Sequence, residues 1–243
     1  MEEIRMNQQV VTHWNEFSSE YDNLMQKDKS YVQQLENIVS HIDTKPVKIL
    51  DLGCGTGALT QRVLTKYPDV NVVCLDPATT MLDIVNKKFS NFNVETVQGS
   101  AHAMEFEDNT FDYIMTNWAL HHLTNEDKIL CAKELFRVLK PEGKLILGDQ
   151  FAPIMREDVK DPERVEGIFD LLSQRAKYYF ENVSFERMIL QVKLMPKFLL
   201  NEGECLATVE YWEEHLKEAG FSDVKSEITE PGFLRNHIII AYK

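Results

Sequence analysis

The sequence predicts an α/β protein built on a doubly wound, mostly parallel sheet of seven strands. Short apolar runs alternate with helical segments from about residue 47 to residue 150, which is typical of parallel strands joined by crossover helices. The first run ends in a glycine-rich turn over residues 51–57. Because ligands of such sheets bind beyond the carboxyl ends of the strands, we expect the functional site at this turn.

The predicted core covers residues 46–150. Its strands are the apolar runs 47–52, 70–75, 94–98, 111–115 and 144–148. The helices predicted between them cover residues 60–66, 81–89 and 126–139.

Three further parts flank the predicted core. Residues 1–45 read as an N-terminal helical cap, with helices over 10–23 and 31–42 and with Ser30 as the N-cap of the second. Residues 151–205 read as a helical insertion after the fifth strand, with helices over 162–180 and 184–194 and an interruption at Pro196. Residues 206–243 supply the last helix, 209–219, which ends at Gly220, and two strands over 224–229 and 237–242.

Composition narrows the class of protein. The formal net charge of −13 disfavours nucleic-acid substrates and anionic membranes. Four widely spaced cysteines without a CxxC pair fit a reducing compartment and predict no metal site. We found no signal peptide and no apolar run of about 18 residues, so we expect a cytoplasmic protein without a membrane span.

The glycine-rich turn predicts a binding site for a nucleotide-like cofactor with an amino-acid end. Glycines let a ligand approach the backbone closely, and the following helix presents unpaired N–H groups. The GxGxG spacing differs from the GxGxxG of dinucleotide enzymes, and Asp51 would crowd a pyrophosphate but could receive an ammonium group. Asp76, at the end of the second predicted strand, could accept both hydroxyls of a ribose or could cap the next helix.

Four segments together resemble class I S-adenosylmethionine-dependent methyltransferases, in particular the group that includes the ubiquinone-biosynthesis enzymes. They are LDLGCGTG, CLDPA, FDYIMTNWALHHL and RVLKPEGKLIL. The resemblance covers about residues 45–150 and implies a Rossmann-like fold. It also implies in-line methyl transfer from S-adenosylmethionine to an acceptor, with S-adenosylhomocysteine as the product.

The resemblance implies a cofactor contact for ten residues. Those near the methionine part would be Tyr21, Asp51, Gly53, Gly55 and Asn117. Those near the ribose and adenine would be Asp76, Pro77, Met81, Ser100 and Ala101. Ser100 stands where many members have aspartate, so this adenine contact departs from the family pattern. Tyr21 could instead belong to an apolar helix stripe with Trp14 and Phe17.

No motif fixes a catalytic base, and the candidates are His121, Tyr178 and His13. We expect a small-molecule acceptor because the insertion is rich in aromatic residues, although its apolar face could instead form a homodimer interface.

Two other functions stay open. The insertion faintly resembles carboxy-S-adenosylmethionine synthases of tRNA modification. Those enzymes need an arginine in the insertion to pair with the extra carboxylate, and Arg175 and Arg187 are the candidates here. The second open function is that of a non-catalytic module that binds the cofactor or its product.

Overall fold

The computed structural model describes residues 24–243, and its centre is one seven-stranded sheet. The strands are β1 (Lys48–Leu52), β2 (Asn71–Asp76), β3 (Val94–Gln98), β4 (Phe111–Asn117), β5 (Leu139–Gln150), β6 (Ser222–Thr229) and β7 (Asn236–Tyr242). Tyr21, His13 and the first predicted helix lie outside the described residues.

The strand order is β3-β2-β1-β4-β5-β7-β6. Neighbouring strands from β3 to β5 are parallel, whereas β7 runs antiparallel to both β5 and β6. The predicted Rossmann-like, mostly parallel sheet is therefore confirmed. The fifth strand is longer than the sequence predicts, because β5 pairs with both β4 and β7.

Helices cover both faces of the sheet. The described α-helices are α1 (Lys29–Ser40), α2 (Ala58–Lys66), α3 (Thr79–Lys88), α4 (Asn125–Val138), α5 (Pro162–Asn182), α6 (Phe185–Leu200) and α7 (Val209–Ala219). Neighbouring strand residues point to opposite faces, so that Ile49 packs in a core with α1 and α2 while Leu50 packs in a core with α4 and α7. Both residues are fully buried, and this explains why β1 reads as a continuous apolar run.

Helices α5 and α6 follow β5 and pack against each other. Their shared apolar cluster includes Ile168, Leu172 and Phe198. Six large apolar side chains of these two helices stay exposed: Val165, Phe169, Phe180, Phe185, Val192 and Leu200. The predicted homodimer contact through this face stays a prediction. Within residues 24–243, no helix combines the length and apolar character that crossing a bilayer requires.

Two local predictions were wrong. Pro196 does not end the helix, since α6 continues to Leu200. Proline interrupts a helix because it lacks an N–H and clashes with the preceding turn, but here the residues beyond it, including buried Phe198, pack on the α5–α6 cluster. The N-cap of α1 is Asp28 rather than Ser30, because the Ser30 N–H donates to the Asp28 carboxylate at 3.0 Å.

Candidate functional site

The glycine turn after β1 uses its three glycines in two different ways. Gly53, Gly55 and Gly57 have φ angles of 66°, 51° and 79°, a region that other residues rarely adopt. A Cβ at Gly53 would lie 2.3 Å from Cβ of Ala119, and one at Gly57 would lie 2.6 Å from the Phe89 ring. A Cβ at Gly55 would meet no atom within 4 Å. The outer glycines therefore serve packing, whereas the space beside Gly55 is open.

Asp76 joins this turn to the next one. Its Oδ2 accepts a hydrogen bond from the Gly55 N–H, and its Oδ1 accepts one from the Ala78 N–H, both at 2.9 Å. Burial raises the pKa of this carboxyl, although the two backbone donors oppose that rise. Each oxygen has a further lone pair, so that the carboxylate can still accept a ribose hydroxyl.

The Asp51 side chain bonds to Thr60 of helix α2 and does not face the open space beside the glycine turn. Its carboxylate is buried and its Oδ2 accepts from the Thr60 N–H at 3.0 Å and from the Thr60 hydroxyl at 2.5 Å. Burial raises its pKa to about 6, with the Thr60 hydrogen bonds opposing the rise. The Asp51 side chain does not line the cavity described next, and its contact with the cofactor amino group stays a prediction.

One cavity lies at the carboxyl ends of β1, β2 and β4. Eight of the ten predicted cofactor residues line it: Gly53, Gly55, Asp76, Pro77, Met81, Ser100, Ala101 and Asn117. Both amide atoms of the Asn117 side chain are buried without a hydrogen-bond partner among residues 24–243. The Ser100 hydroxyl lies 2.8 Å from Nδ1 of His102.

Two aromatic residues complete one side of this cavity. Tyr31 and Trp118 close it with an edge-to-face pair whose ring centroids are 5.0 Å apart. The Trp118 indole N–H donates to Gln34 at 3.3 Å, and its backbone has a φ of 51°. Tyr31 belongs to α1, far away in sequence, and only tertiary contacts reveal its position. Trp118 directly follows Asn117, and the sequence already offers its carbonyl as an alternative to that of Asn117 for contact with the methionine amino group.

His121 occupies the centre of a buried ionic cluster beside the cavity. Its Nδ1 lies 2.5 Å from Oδ1 of Asp149, and its Nε2 lies 3.4 Å from Oε2 of Glu204. Burial disfavours the imidazolium, but the two carboxylates outweigh burial and raise the pKa of His121 to about 9. Burial and the neighbouring His121 charge lower the pKa of His122, which lines the cofactor cavity.

The same cluster contains a potential metal-ligand set. The ligand atoms of His121, His122 and Glu204 lie within 4.8 Å of one another, close enough to hold an ion. The contacts between His121 and its two carboxylates account for the cluster without one. The sequence did not indicate this group, because Glu204 comes from the far side of the insertion. The prediction of no metal site stays a prediction.

The remaining catalytic candidate lies elsewhere. Tyr178 lines a groove on α5 with Pro231 and Phe233, and it contacts neither the cofactor cavity nor the His121 cluster. Its position gives no support to a catalytic role.

The His121 cluster predicts a pH-dependent stability. The pKa rises from about 6.5 in the unfolded chain to about 9 in the folded chain, so the contribution of His121 is complete below pH 6.5 and is lost as the pH rises through 9. From pH 6.5 to pH 8, we expect urea titrations to show the free energy of unfolding falling by about 1–2 kcal/mol more in the native protein than in His121→Gln. Replacing His215, which pairs with Glu218 away from this cluster, should leave the native slope unchanged. Equal slopes for the native protein and His121→Gln would contradict this account.

The strand order with its antiparallel β7, the glycine turn and the cavity at the strand ends resemble the arrangement of class I S-adenosylmethionine-dependent methyltransferases. Comparison with known proteins agrees, since residues 49–143 match the family model described as "Methyltransferase domain". The resemblance that the sequence showed is thereby confirmed.

Two curated relatives match the same part of the chain. An uncharacterized methyltransferase of Schizosaccharomyces pombe is 40% identical over 99 residues, which are 41% of this chain and 37% of the relative. The ubiquinone/menaquinone biosynthesis C-methyltransferase UbiE of Pasteurella multocida is 37% identical over 113 residues, which are 44% of this chain and 41% of the relative. The chain therefore matches well under half the length of each.

A solved structure extends the likeness of fold to most of the chain. Phosphoethanolamine N-methyltransferase 2 of Haemonchus contortus, in complex with S-adenosyl-L-methionine, superposes with a TM-score of 0.62 over 86% of this chain and 52% of that one. The sequence identity is 17%, so this likeness concerns the fold alone.

Proposed function

We propose that this protein transfers a methyl group from S-adenosylmethionine to a small-molecule acceptor and leaves S-adenosylhomocysteine. One observation carries the proposal: a single cavity is lined by Gly55, whose Cβ position is open, by Asp76, and by Asn117, whose side-chain amide has no partner among residues 24–243. These groups suit a ligand with a ribose and an amino-acid end.

The remaining lining fits the other parts of the same cofactor. Pro77 and Met81 offer an apolar surface near Asp76 on which an adenine could pack, and the Ser100 hydroxyl could bond its edge. Leu120 and Leu123 add apolar lining that would help to exclude water from the methyl group. When bound, S-adenosylmethionine supplies an electrophilic methyl group, so the protein mainly has to align the donor and the acceptor.

A proton acceptor is needed only where the acceptor carries a proton of high pKa. His121 is charged near pH 7, because its pKa is about 9, and the cluster already occupies its ring nitrogens. His122 also has a ring contact, with its Nδ1 2.9 Å from the Gly203 carbonyl oxygen, but its pKa is lowered and it lines the cofactor cavity, which makes it the better placed base of the two. We therefore assign any general-base role to His122 rather than to His121.

A screen of small-molecule acceptors tests the proposed activity. We expect the full chain to release S-adenosylhomocysteine above background with one class of acceptor, and we expect Gly55→Ala to abolish the release because its methyl group enters the cofactor cavity. Product formation is read by mass spectrometry. Tight binding of S-adenosylhomocysteine with no turnover for any acceptor would instead favour the non-catalytic module.

The insertion completes the proposal. Residues 151–205 place α6 beside the cofactor cavity, where side chains of that helix line an adjoining space. We propose that this segment acts as the lid over the acceptor. The acidic net charge of −13 also fits a small molecule better than a nucleic acid.

A further inference from the structure

A second, smaller cavity adjoins the cofactor cavity and lies against α6. The two cavities share Trp118 and His122. The rest of the second lining combines apolar residues with buried polar ones: His121, Gln150, Arg187, Leu190, Gln191, Leu194, Phe198 and Glu204. A molecule in this space would touch the end of the cofactor cavity that Asn117 and Trp118 form.

Arg187 is the unusual residue of this second cavity. Its side chain is 4% exposed, and its guanidinium stacks on the Tyr179 ring at 3.7 Å from the ring centroid. The guanidinium makes no hydrogen bond and no ion pair with any residue from 24 to 243, and its Nε is buried without a partner. Among residues 24–243 the guanidinium has no directly bonded counter-charge, and burying a cation in this way is costly, so an anionic ligand would stabilise it.

Two other buried arginines have guanidinium groups that donate hydrogen bonds to nearby oxygens. Arg164 donates to three backbone carbonyls and to Asn201. Arg175 donates to the Leu234 carbonyl and to Gln150. Arg187 alone among these three faces a cavity and lacks such partners. Its position is therefore that of a ligand-binding group rather than of a structural one.

Gln191 adds a second donor on the same face of α6. It lies one turn after Arg187, it is 2% exposed, and its Nε2 is buried without a partner. Two donors side by side match the two oxygens of a carboxylate. Asp149 lies near the cavity and Glu204 lines it, and these carboxylates disfavour a doubly charged phosphate more than a singly charged carboxylate. Leu190, Leu194 and Phe198 give the same lining an apolar surface.

We propose that this second cavity is the acceptor subsite and that Arg187, together with Gln191, binds a carboxylate group of the acceptor. The inference rests on the proposed methyl-transfer function. It names the class of acceptor as a small carboxylic acid with an apolar part, held by its carboxylate while another atom of the molecule faces the methyl group.

Benzoate and its neutral isostere benzamide test the proposal as probes. Both are titrated calorimetrically into the full chain saturated with S-adenosylhomocysteine. We expect benzoate to bind at least ten-fold more tightly than benzamide, and we expect Arg187→Met to remove this preference. The matched control is Arg156→Met, which changes the net charge equally at an exposed position and should keep the preference. Equal binding of the two probes, or a preference that survives Arg187→Met, would overturn the proposal.

Retained binding of S-adenosylhomocysteine shows that each variant is folded. Should Arg187→Met lose that binding, Gln191→Leu replaces it in the same titration with the same two outcomes. A native protein that does not bind S-adenosylhomocysteine would overturn the proposed function itself, whereas intact cofactor binding without benzoate preference overturns only the acceptor assignment. Mass spectrometry of the ligand that copurifies checks the other source of a carboxylate. A carboxylated sulfonium cofactor that Arg187→Met loses and Arg156→Met keeps would also overturn that assignment.

Discussion

Replacing Asp76 with alanine is expected to weaken binding of S-adenosylmethionine by about 10- to 150-fold, the effect of losing charge-assisted hydrogen bonds to a ribose. The carboxylate lines the cofactor cavity and has a spare lone pair on each oxygen, while its backbone bonds to Gly55 and Ala78 fix its direction. Isothermal titration calorimetry measures the change.

The control for this variant is Asp83→Ala, which removes an exposed carboxylate from α3 and should leave the affinity unchanged. The free energy of unfolding of both variants is measured alongside, because Asp76→Ala also frees two backbone N–H groups. An Asp76→Ala protein that is folded and binds the cofactor as tightly as the native chain would show that the site is misplaced.

Gly53→Ala is expected to lower mainly the stability of the fold, whereas Gly55→Ala is expected to lower mainly the affinity for the cofactor. At Gly53 the new Cβ would overlap Ala119, and the backbone has positive φ, so we expect the free energy of unfolding to fall by about 2–4 kcal/mol. At Gly55 only the backbone strain remains, so we expect a loss of about 1 kcal/mol. The methyl group at Gly55 would instead occupy the cofactor cavity and lower the affinity for S-adenosylmethionine at least ten-fold.

Urea denaturation and calorimetry on the same preparations separate the two effects. Gly53→Ala serves as the packing variant and Gly55→Ala as the binding variant, within one turn of chain. A stable Gly55→Ala protein with native affinity would mean that the ligand does not approach this part of the backbone.

The fold was predictable because its signals are local. Alternating strands and helices, the glycine turn and the capping Gly220 all lie within short stretches of sequence, and the folded structure contains each of them. Pro196 was misread for the opposite reason. Its effect on α6 depends on the contacts that Phe198 makes with α5, and those contacts come from the folded chain.

The candidate site also contains residues whose position follows from local sequence and residues whose position depends on tertiary contacts. Gly55, Asp76 and Asn117 each follow a strand directly, so their meeting at one edge of the sheet follows from topology. Asp51 belongs to the same motif, but sequence alone does not show which face of β1 it occupies, and the structure turns it toward Thr60. Glu204 and Arg187 reach the site from the insertion, and no spacing rule connects them to the core.

A calorimetric titration of the full chain with S-adenosylhomocysteine tests the central claim most directly. We predict one binding site per chain, with affinity that Gly55→Ala strongly reduces and Asp83→Ala leaves unchanged. Absence of binding to the native chain, or binding that Gly55→Ala does not alter, would contradict the assignment of this cavity to a methyl-transfer cofactor.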